Sequence, residues 1–137
     1  MRRISEILAQ AFAILERDQP AAFFRVAEEL DRLTVHLLVD GESFTSAFTA
    51  DRPCIVDPAP ERDFPVRAVT TRSTILDLCE GRIRLLEAVM QRRLEVWASE
   101  ERLLRISRAV TAFSEGAVRA RRMRALLDSF RAELEPV

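Results

Sequence analysis

Apolar residues in the first thirty positions recur every three to four residues, which is the period of an amphipathic α-helix. Pro20 divides them into two helices, because proline suits the first position of a helix. A helix that lies on a membrane surface normally has more basic residues on its polar face than the first helix has, so we expect it to pack on a core. The two apolar stripes consist of Ile4, Ile7, Leu8, Ala11, Phe12 and Leu15, and of Phe23, Val26, Ala27 and Leu30.

From Asp31 the apolar period changes to two, which predicts a β-strand. The strand ends at Asp40-Gly41, a dipeptide favoured in two-residue hairpin turns, and such a turn fixes which residues face each other. One face of the hairpin is then nearly all apolar, and a slip of one residue would turn that face to solvent. The pairs predicted on this face are Val39 with Glu42, Leu37 with Phe44, Val35 with Ser46, and Leu33 with Phe48.

Two more strands are predicted before the middle of the chain. Residues 52–56 form a short strand that Pro53 places at a sheet edge, because proline cannot donate a hydrogen bond to a central ladder. Residues 57–65 contain three prolines and four charged residues, which is typical of a loop. Residues 66–70 return to the alternation of a strand.

The next segment has the pattern helix, glycine, helix, strand. Its first helix is predicted to begin at a Ser73/Thr74 cap and to end at Gly81, because glycine readily adopts the left-handed conformation of a helix end. The second helix is predicted over residues 82–91. Alternation then predicts a strand over residues 94–98.

Two amphipathic helices end the chain, the first starting at Ser99 and the second following Gly116, which is predicted to interrupt the pattern. The elements together predict an α+β fold, with an antiparallel-rich sheet of about five strands covered on one face by helices. The last two helices are expected to lie on that sheet. We expect one domain over residues 1–137. The C-terminal stripes are Leu103, Ile106, Val110 and Phe113, and Met123, Leu126, Leu127, Phe130 and Leu134.

Four residues of the helix–strand segment occur in a recognisable order: Gly81, Ala88, Met90 and Val96. This order resembles the lipid-binding domain of the sterol carrier protein type 2 family. That family typically has a glycine, a leucine-containing helix with an alanine, a methionine, a glycine turn and a strand that ends in glycine.

Two positions depart from the pattern of that family. Arg92 stands where the turn glycine is expected, and Ala98 stands at the expected strand-end glycine. A weaker resemblance extends over residues 23–104 and includes a hairpin at Val39–Glu42. The resemblance implies an α+β fold and non-catalytic binding of a lipid.

The resemblance and the many Leu and Phe residues on facing elements imply an apolar cavity between the sheet and the C-terminal helices. The implied ligand is a fatty acyl, isoprenoid or sterol-like lipid. A filled core would need the same apolar stripes, so the alternative is an accessory or interaction subunit of a lipid, quinone or polyketide pathway. The residues predicted to line the cavity are Phe44, Phe48, Leu76, Val89, Leu103, Leu104, Phe113, Leu126, Leu127 and Phe130.

The residue inventory favours a protein that is not an enzyme. His36 is the only histidine, which excludes a metal site built from two histidines. Only three glycines occur, each at a predicted turn or helix end, so no glycine-rich phosphate loop is available. We therefore predict no catalytic residue, no metal and no cofactor.

The charges exclude a bulk electrostatic attraction to nucleic acid, since 21 arginines face 22 acidic residues and the net charge is −1. The distribution is polarised, with −5 on residues 1–80 and +4 on residues 81–137. Four arginines cluster before and inside the last helix. They are Arg119, Arg121, Arg122 and Arg124.

Two interpretations of this arginine cluster are open. It is a solvated helix face with ion pairs from Glu115 to Arg119 and from Arg124 to Asp128, because charge blocks on helices are commonly solvated. Alternatively it is a patch that meets anionic headgroups, a membrane surface or an acidic pathway enzyme.

The expected location is the cytoplasm. Cys54 and Cys79 lack the spacing of a metal or redox site, and unpaired thiols suit a reducing compartment. The basic start of the chain is like that of a signal peptide, but Glu6 and Gln10 interrupt the apolar run that would have to follow. No stretch approaches the roughly 20 apolar residues of a membrane span.

Overall fold

The computed structural model describes residues 1–135 and has an α+β architecture, as predicted. Its elements in chain order are α1 (Ile4–Asp18), α2 (Pro20–Leu30), β1 (Val35–Val39), β2 (Glu42–Thr49), β3 (Arg52–Val56), β4 (Val66–Thr70), α3 (Arg72–Cys79), α4 (Leu85–Met90), β5 (Glu95–Trp97), α5 (Glu100–Ala117) and α6 (Arg121–Leu134).

The five strands form one sheet in the order β3-β2-β1-β4-β5. β1 runs parallel to β4, and the other neighbouring pairs are antiparallel. This confirms the prediction of an antiparallel-rich sheet and places β3, with its Pro53, at an edge. The inward face of the sheet carries Val39, Phe44, Phe48 and Val66, which are all buried.

The predicted hairpin register is confirmed over three pairs, Val35 with Ser46, Leu37 with Phe44, and Val39 with Glu42. Both turn residues have positive φ angles, 47° at Asp40 and 85° at Gly41, which a type I′ turn requires.

The fourth predicted pair, Leu33 with Phe48, is wrong. Arg32 has a φ of 59°, and the amide of Leu33 donates to the carbonyl of Leu30, so the chain is still turning here and β1 begins only at Val35. Phe48 instead forms an isolated bridge with Asp31.

The helices of the middle segment start at other residues than predicted. Thr71 caps α3, because its hydroxyl oxygen accepts a hydrogen bond from the amide of Thr74 at 3.2 Å. Gly81 ends the helix as predicted, with a φ of 72°. α4 begins at Leu85 and is shorter than the predicted 82–91, and the carboxylate of Glu87 caps it by accepting from the amide of Arg84.

Gly116 does not interrupt a helix, because α5 continues to Ala117. A β-carbon at this position would lie 2.6 Å from Ala22 Cβ and 2.8 Å from Leu15 Cδ1. Glycine is therefore needed here for the close approach of α5 to α2 and α1.

The C-terminal helices do not both lie on the sheet. α1 and α2 take that place and contact β3 and β2, while α5 packs mainly on α2 and α6 packs mainly on α1 and α3. The prediction failed because all four helices have an apolar stripe, and the stripe alone does not decide which helix covers the sheet.

A buried arginine joins the two ends of the described chain. Arg72 Nη1 donates to Glu42 Oε2 at 2.6 Å, and Nη2 donates to the carbonyl of Arg2 at 2.8 Å. The same Nη2 lies 3.6 Å from Glu133 Oε2 on α6. Because Arg2 also donates to Glu133, this network fastens the start of α1, the hairpin and α6 to one another.

Candidate functional site

A pocket of about 160 Å³ lies between the inward face of the sheet and helices α1, α2, α3 and α5. We call it the apolar pocket. Its wall consists of Leu8, Phe12, Val26, Leu30, Val35, Leu37, Ser46, Ile75, Leu78, Cys79, Ile106, Ala109, Val110 and Phe113.

The pocket exists because the helices leave part of β1 uncovered. Val35, Leu37 and Val39 all point inward, yet only Val39 is fully buried while the other two remain half-buried. The free surface of Val35 and Leu37 faces the pocket. Two small side chains, Ala109 on α5 and Ser46 on β2, widen it further.

Within residues 1–135, no charged side chain lines the apolar pocket, and the polar side chains in its wall are those of Ser46 and Cys79. Burial raises the pKa of the Cys79 thiol to about 12, and the negative charge of Glu80 adds to the effect. The thiol is therefore neutral and unreactive at physiological pH. Such a wall can hold an apolar group but offers nothing to stabilise a buried charge.

The structure does not bring the ten predicted cavity residues round one space. Phe113 lines the apolar pocket. Phe48 does not line it but contacts the wall residue Phe12, with ring centroids 5.1 Å apart in an edge-to-face arrangement. Phe44 is fully buried in the core.

The remaining seven do not line the apolar pocket either. Val89 and Leu103 are half-buried beside a smaller apolar cluster around Ala88 and Leu94, and Leu104 is 42% exposed on the outer side of α5. Because α6 packs on α1 and α3, its stripe does not reach the wall of the apolar pocket. The buried residues Leu76, Leu126, Leu127 and Phe130 belong to the larger core cluster.

Sequence reasoning placed the α1 and α2 residues of the wall in the core but did not assign them to a pocket. One signal could have located it: Ser46 is a small polar residue between Phe44 and Phe48 on a hairpin face that is nearly all apolar. Ala109 is a second such signal, because it is a small residue between Ile106 and Phe113 on the apolar stripe of α5.

The four arginines of the predicted patch have different surroundings. Arg122 pairs with Asp18 and ties α6 to the end of α1. Arg119 and Arg121 are exposed. The predicted Arg124–Asp128 and Glu115–Arg119 pairs are wrong, since neither comes within ion-pair distance in the described chain, and Asp128 pairs with Arg131 at 3.3 Å. Arg124 lines a second pocket.

Other chemistry is sparse in residues 1–135. These residues contain no cluster of three His, Cys, Asp or Glu side chains that could hold a metal ion. His36 is half-buried on the outward face of the sheet, where its Nε2 lies 2.8 Å from the Ser43 hydroxyl and its ring packs beside Phe64. No helix in the described part is long and apolar enough to cross a membrane.

Comparison with known proteins gives matches only among solved structures, since no family model and no curated protein matches this chain. A ubiquinone synthesis protein, UbiJ-SCP2, has 15% sequence identity and a TM-score of 0.62, with 86% of this chain and 97% of that chain covered. The apo form of sterol carrier protein 2 from Yarrowia lipolytica has 15% identity and a TM-score of 0.52, with 75% and 88% covered.

A third similar structure is the sterol carrier protein domain 2 of Helicoverpa armigera. It has 12% identity and a TM-score of 0.53, with 74% of this chain and 80% of that chain covered. At these identities the similarity concerns the fold. The chain therefore has the fold of a sterol carrier protein 2 domain, as the resemblance in its sequence implied.

Proposed function

We propose that this sterol-carrier-like chain is a non-catalytic binder or carrier of a hydrophobic small molecule, which it holds in the apolar pocket. The observation that carries the proposal is a wall to which the described residues contribute no charged side chain. Each methylene that leaves water contributes about 0.8 kcal/mol, so a chain of a few carbons gains useful affinity without any polar contact.

The size of the pocket favours a flexible chain over a sterol. An engineered protein cavity of about 150 Å³ holds one benzene ring, so the 160 Å³ here accommodate about six carbon atoms. A fatty acyl or isoprenoid chain can place that many carbons inside and leave the rest outside. The rigid ring system of a sterol cannot, unless the helices move apart.

The protein is further proposed to act in the cytoplasm, as one domain. Neither Cys54 nor Cys79 is in a disulfide, which suits a reducing compartment.

The proposal is tested by calorimetric titration with a series of alkanoates from butanoate to hexadecanoate. Affinity should rise about fourfold per added methylene until about six carbons are buried, and then level off. A flat series with delipidated, folded protein would contradict the proposal.

Matched variants show whether the hydrocarbon chain of the ligand enters this pocket. Ala109→Phe places a ring in the pocket and should weaken octanoate binding at least tenfold, whereas Ala13→Phe on the exposed side of α1 should leave it unchanged. Val110→Phe fills the pocket from a half-buried position and replaces Ala109→Phe if that variant does not fold. Equal affinity in the filled and control variants would place the ligand elsewhere.

One observation favours a second function. The similar structure that this chain covers to 97% is described as a ubiquinone synthesis protein. The chain would then be an accessory or interaction subunit of a lipid, quinone or polyketide pathway that contacts an enzyme and carries no ligand. This alternative predicts the flat alkanoate series.

A further inference from the structure

Helix α4 has two apolar side chains on its solvent side. Leu86 and Met90 are four residues apart and therefore lie on the same side of the helix, where they are 40% and 83% exposed. Another side of α4 carries Leu85 and Ala88, which are buried. That buried side already holds the helix in the fold. We call Leu86 and Met90 the α4 pair.

Four arginines flank the α4 pair in the sequence. Two of them, Arg82 and Arg93, pair with carboxylates at 3.4 Å and 2.6 Å. Arg84 and Arg92 are exposed, and within the described part of the chain no carboxylate lies within ion-pair distance of either side chain. These two arginines are therefore free to meet an anion outside the protein.

The distribution of charge favours an anionic partner on this side of the molecule. Residues 82–93 contain the four arginines and one acidic residue, Glu87, which gives a net charge of +3. Because the whole chain carries −1, the rest of it carries −4. An anionic surface would therefore attract α4 and on balance repel the remainder, which turns α4 towards that surface.

We infer that α4 docks this protein on an anionic lipid membrane, with the α4 pair inserted among the acyl chains and with Arg84 and Arg92 at the lipid phosphate groups. The inference goes beyond the proposed function and does not depend on a ligand in the apolar pocket.

The shape of the surface favours a membrane over a protein partner. A side chain that is 83% exposed, like that of Met90, stands out from the surface, and a protein partner would need a matching pocket to receive it. Hydrocarbon accepts a protruding apolar group of any shape, and nearby cations add attraction to anionic headgroups. Helix α1 cannot take this role, because its apolar stripe is buried in the core.

The inference is tested by co-sedimentation of the full chain with two kinds of lipid vesicle. One kind is pure phosphatidylcholine, and the other contains about 30% phosphatidylserine, which gives it an anionic surface. The unmodified protein should partition about tenfold more strongly onto the anionic vesicles, and added salt should reduce this preference.

Two serine variants locate the inserted side chains. Met90→Ser removes the more exposed member of the α4 pair and should lower partitioning onto anionic vesicles about tenfold. Val56→Ser is the matched control, because Val56 is 42% exposed and lies on β3, at the opposite sheet edge from the strand that follows α4. It should leave partitioning unchanged.

Arginine variants locate the headgroup contacts. Arg84→Gln combined with Arg92→Gln should abolish the preference for anionic vesicles, since each arginine near such a surface is worth about a fivefold change in affinity. Arg121→Gln changes an exposed arginine on α6 and should have no effect. Circular dichroism checks that each variant is folded.

Three results would overturn the inference. The first is no preference of the unmodified protein for anionic vesicles, or no binding to either kind. The second is an equal loss in Met90→Ser and Val56→Ser. The third is a loss in Arg121→Gln as large as that in the double variant, because the arginines of α6 would then carry the binding.

Discussion

Replacing Gly116 with alanine sets two known effects against each other. Alanine is the better helix former by about 1 kcal/mol, so helix propensity alone predicts a more stable protein. The new β-carbon, however, would lie 2.6 Å from Ala22 Cβ, which the backbone of α2 holds in place. Because ordinary carbon contacts are longer by about 1 Å, α5 and α2 would have to separate.

The packing effect should be the larger one. Overpacking a tight core contact costs about 1–3 kcal/mol, and this contact is among the closest possible. We therefore expect Gly116→Ala to lower the free energy of unfolding by about 1–2 kcal/mol and the melting temperature by about 3–6 °C. Urea unfolding followed by circular dichroism gives both the sign and the size of the change in the free energy of unfolding.

A double-mutant cycle with Ala22→Gly identifies the contact. In that background the β-carbon at Ala22 is gone, and Gly116→Ala should cost at least about 1 kcal/mol less than in the unmodified protein. Thr111→Ala, on the exposed side of α5, is the propensity control and should stabilise slightly. A stabilising effect of Gly116→Ala of about 1 kcal/mol would refute the close helix crossing.

Three further predictions concern single groups. Hydrogen bonds from Arg3 and Ser5 lower the pKa of Asp57. Burial acts to raise the pKa of Glu133, but its contacts with Arg2 and Arg72 outweigh burial and lower it. Each carboxylate therefore stabilises the fold at a pH above its ordinary pKa of about 4, and this stabilisation is lost as the pH falls below that value. The urea midpoint should drop steeply below about pH 4, and Asp57→Asn should make this drop smaller. Arg92 has a φ of 59° in the place of a family glycine, so Arg92→Gly should raise the free energy of unfolding by up to about 1 kcal/mol in the same assay. Iodoacetamide at mildly alkaline pH should give one adduct on exposed Cys54 by mass spectrometry, with Cys79 modified only after unfolding.

The hairpin could be predicted residue by residue because local chemistry leaves a single solution. The Asp40-Gly41 turn fixes the register, and alternation shows which face is buried. The prediction failed at Leu33, where a left-handed Arg32 delays the start of β1. Nothing in the sequence marks an arginine for that conformation.

The pocket wall could not be predicted to the same degree. Its position depends on which helix covers which strand, and the stripes of α1, α2, α5 and α6 all look alike in sequence. Of the ten residues predicted to line a cavity, Phe113 is the one that lies in the wall of the apolar pocket. Leu126 and Phe130 were assigned to that space because α6 was expected on the sheet rather than on α1.

The central claim is that a hydrocarbon chain enters the apolar pocket, and methyl NMR during an octanoate titration tests it most directly. We expect the resonances of Leu8, Ile106 and Val110 to shift in a saturable way while those of Leu126, on the stripe of α6, stay in place. Shifts confined to exposed methyl groups such as that of Leu86, or no shifts at saturating octanoate, would contradict the account.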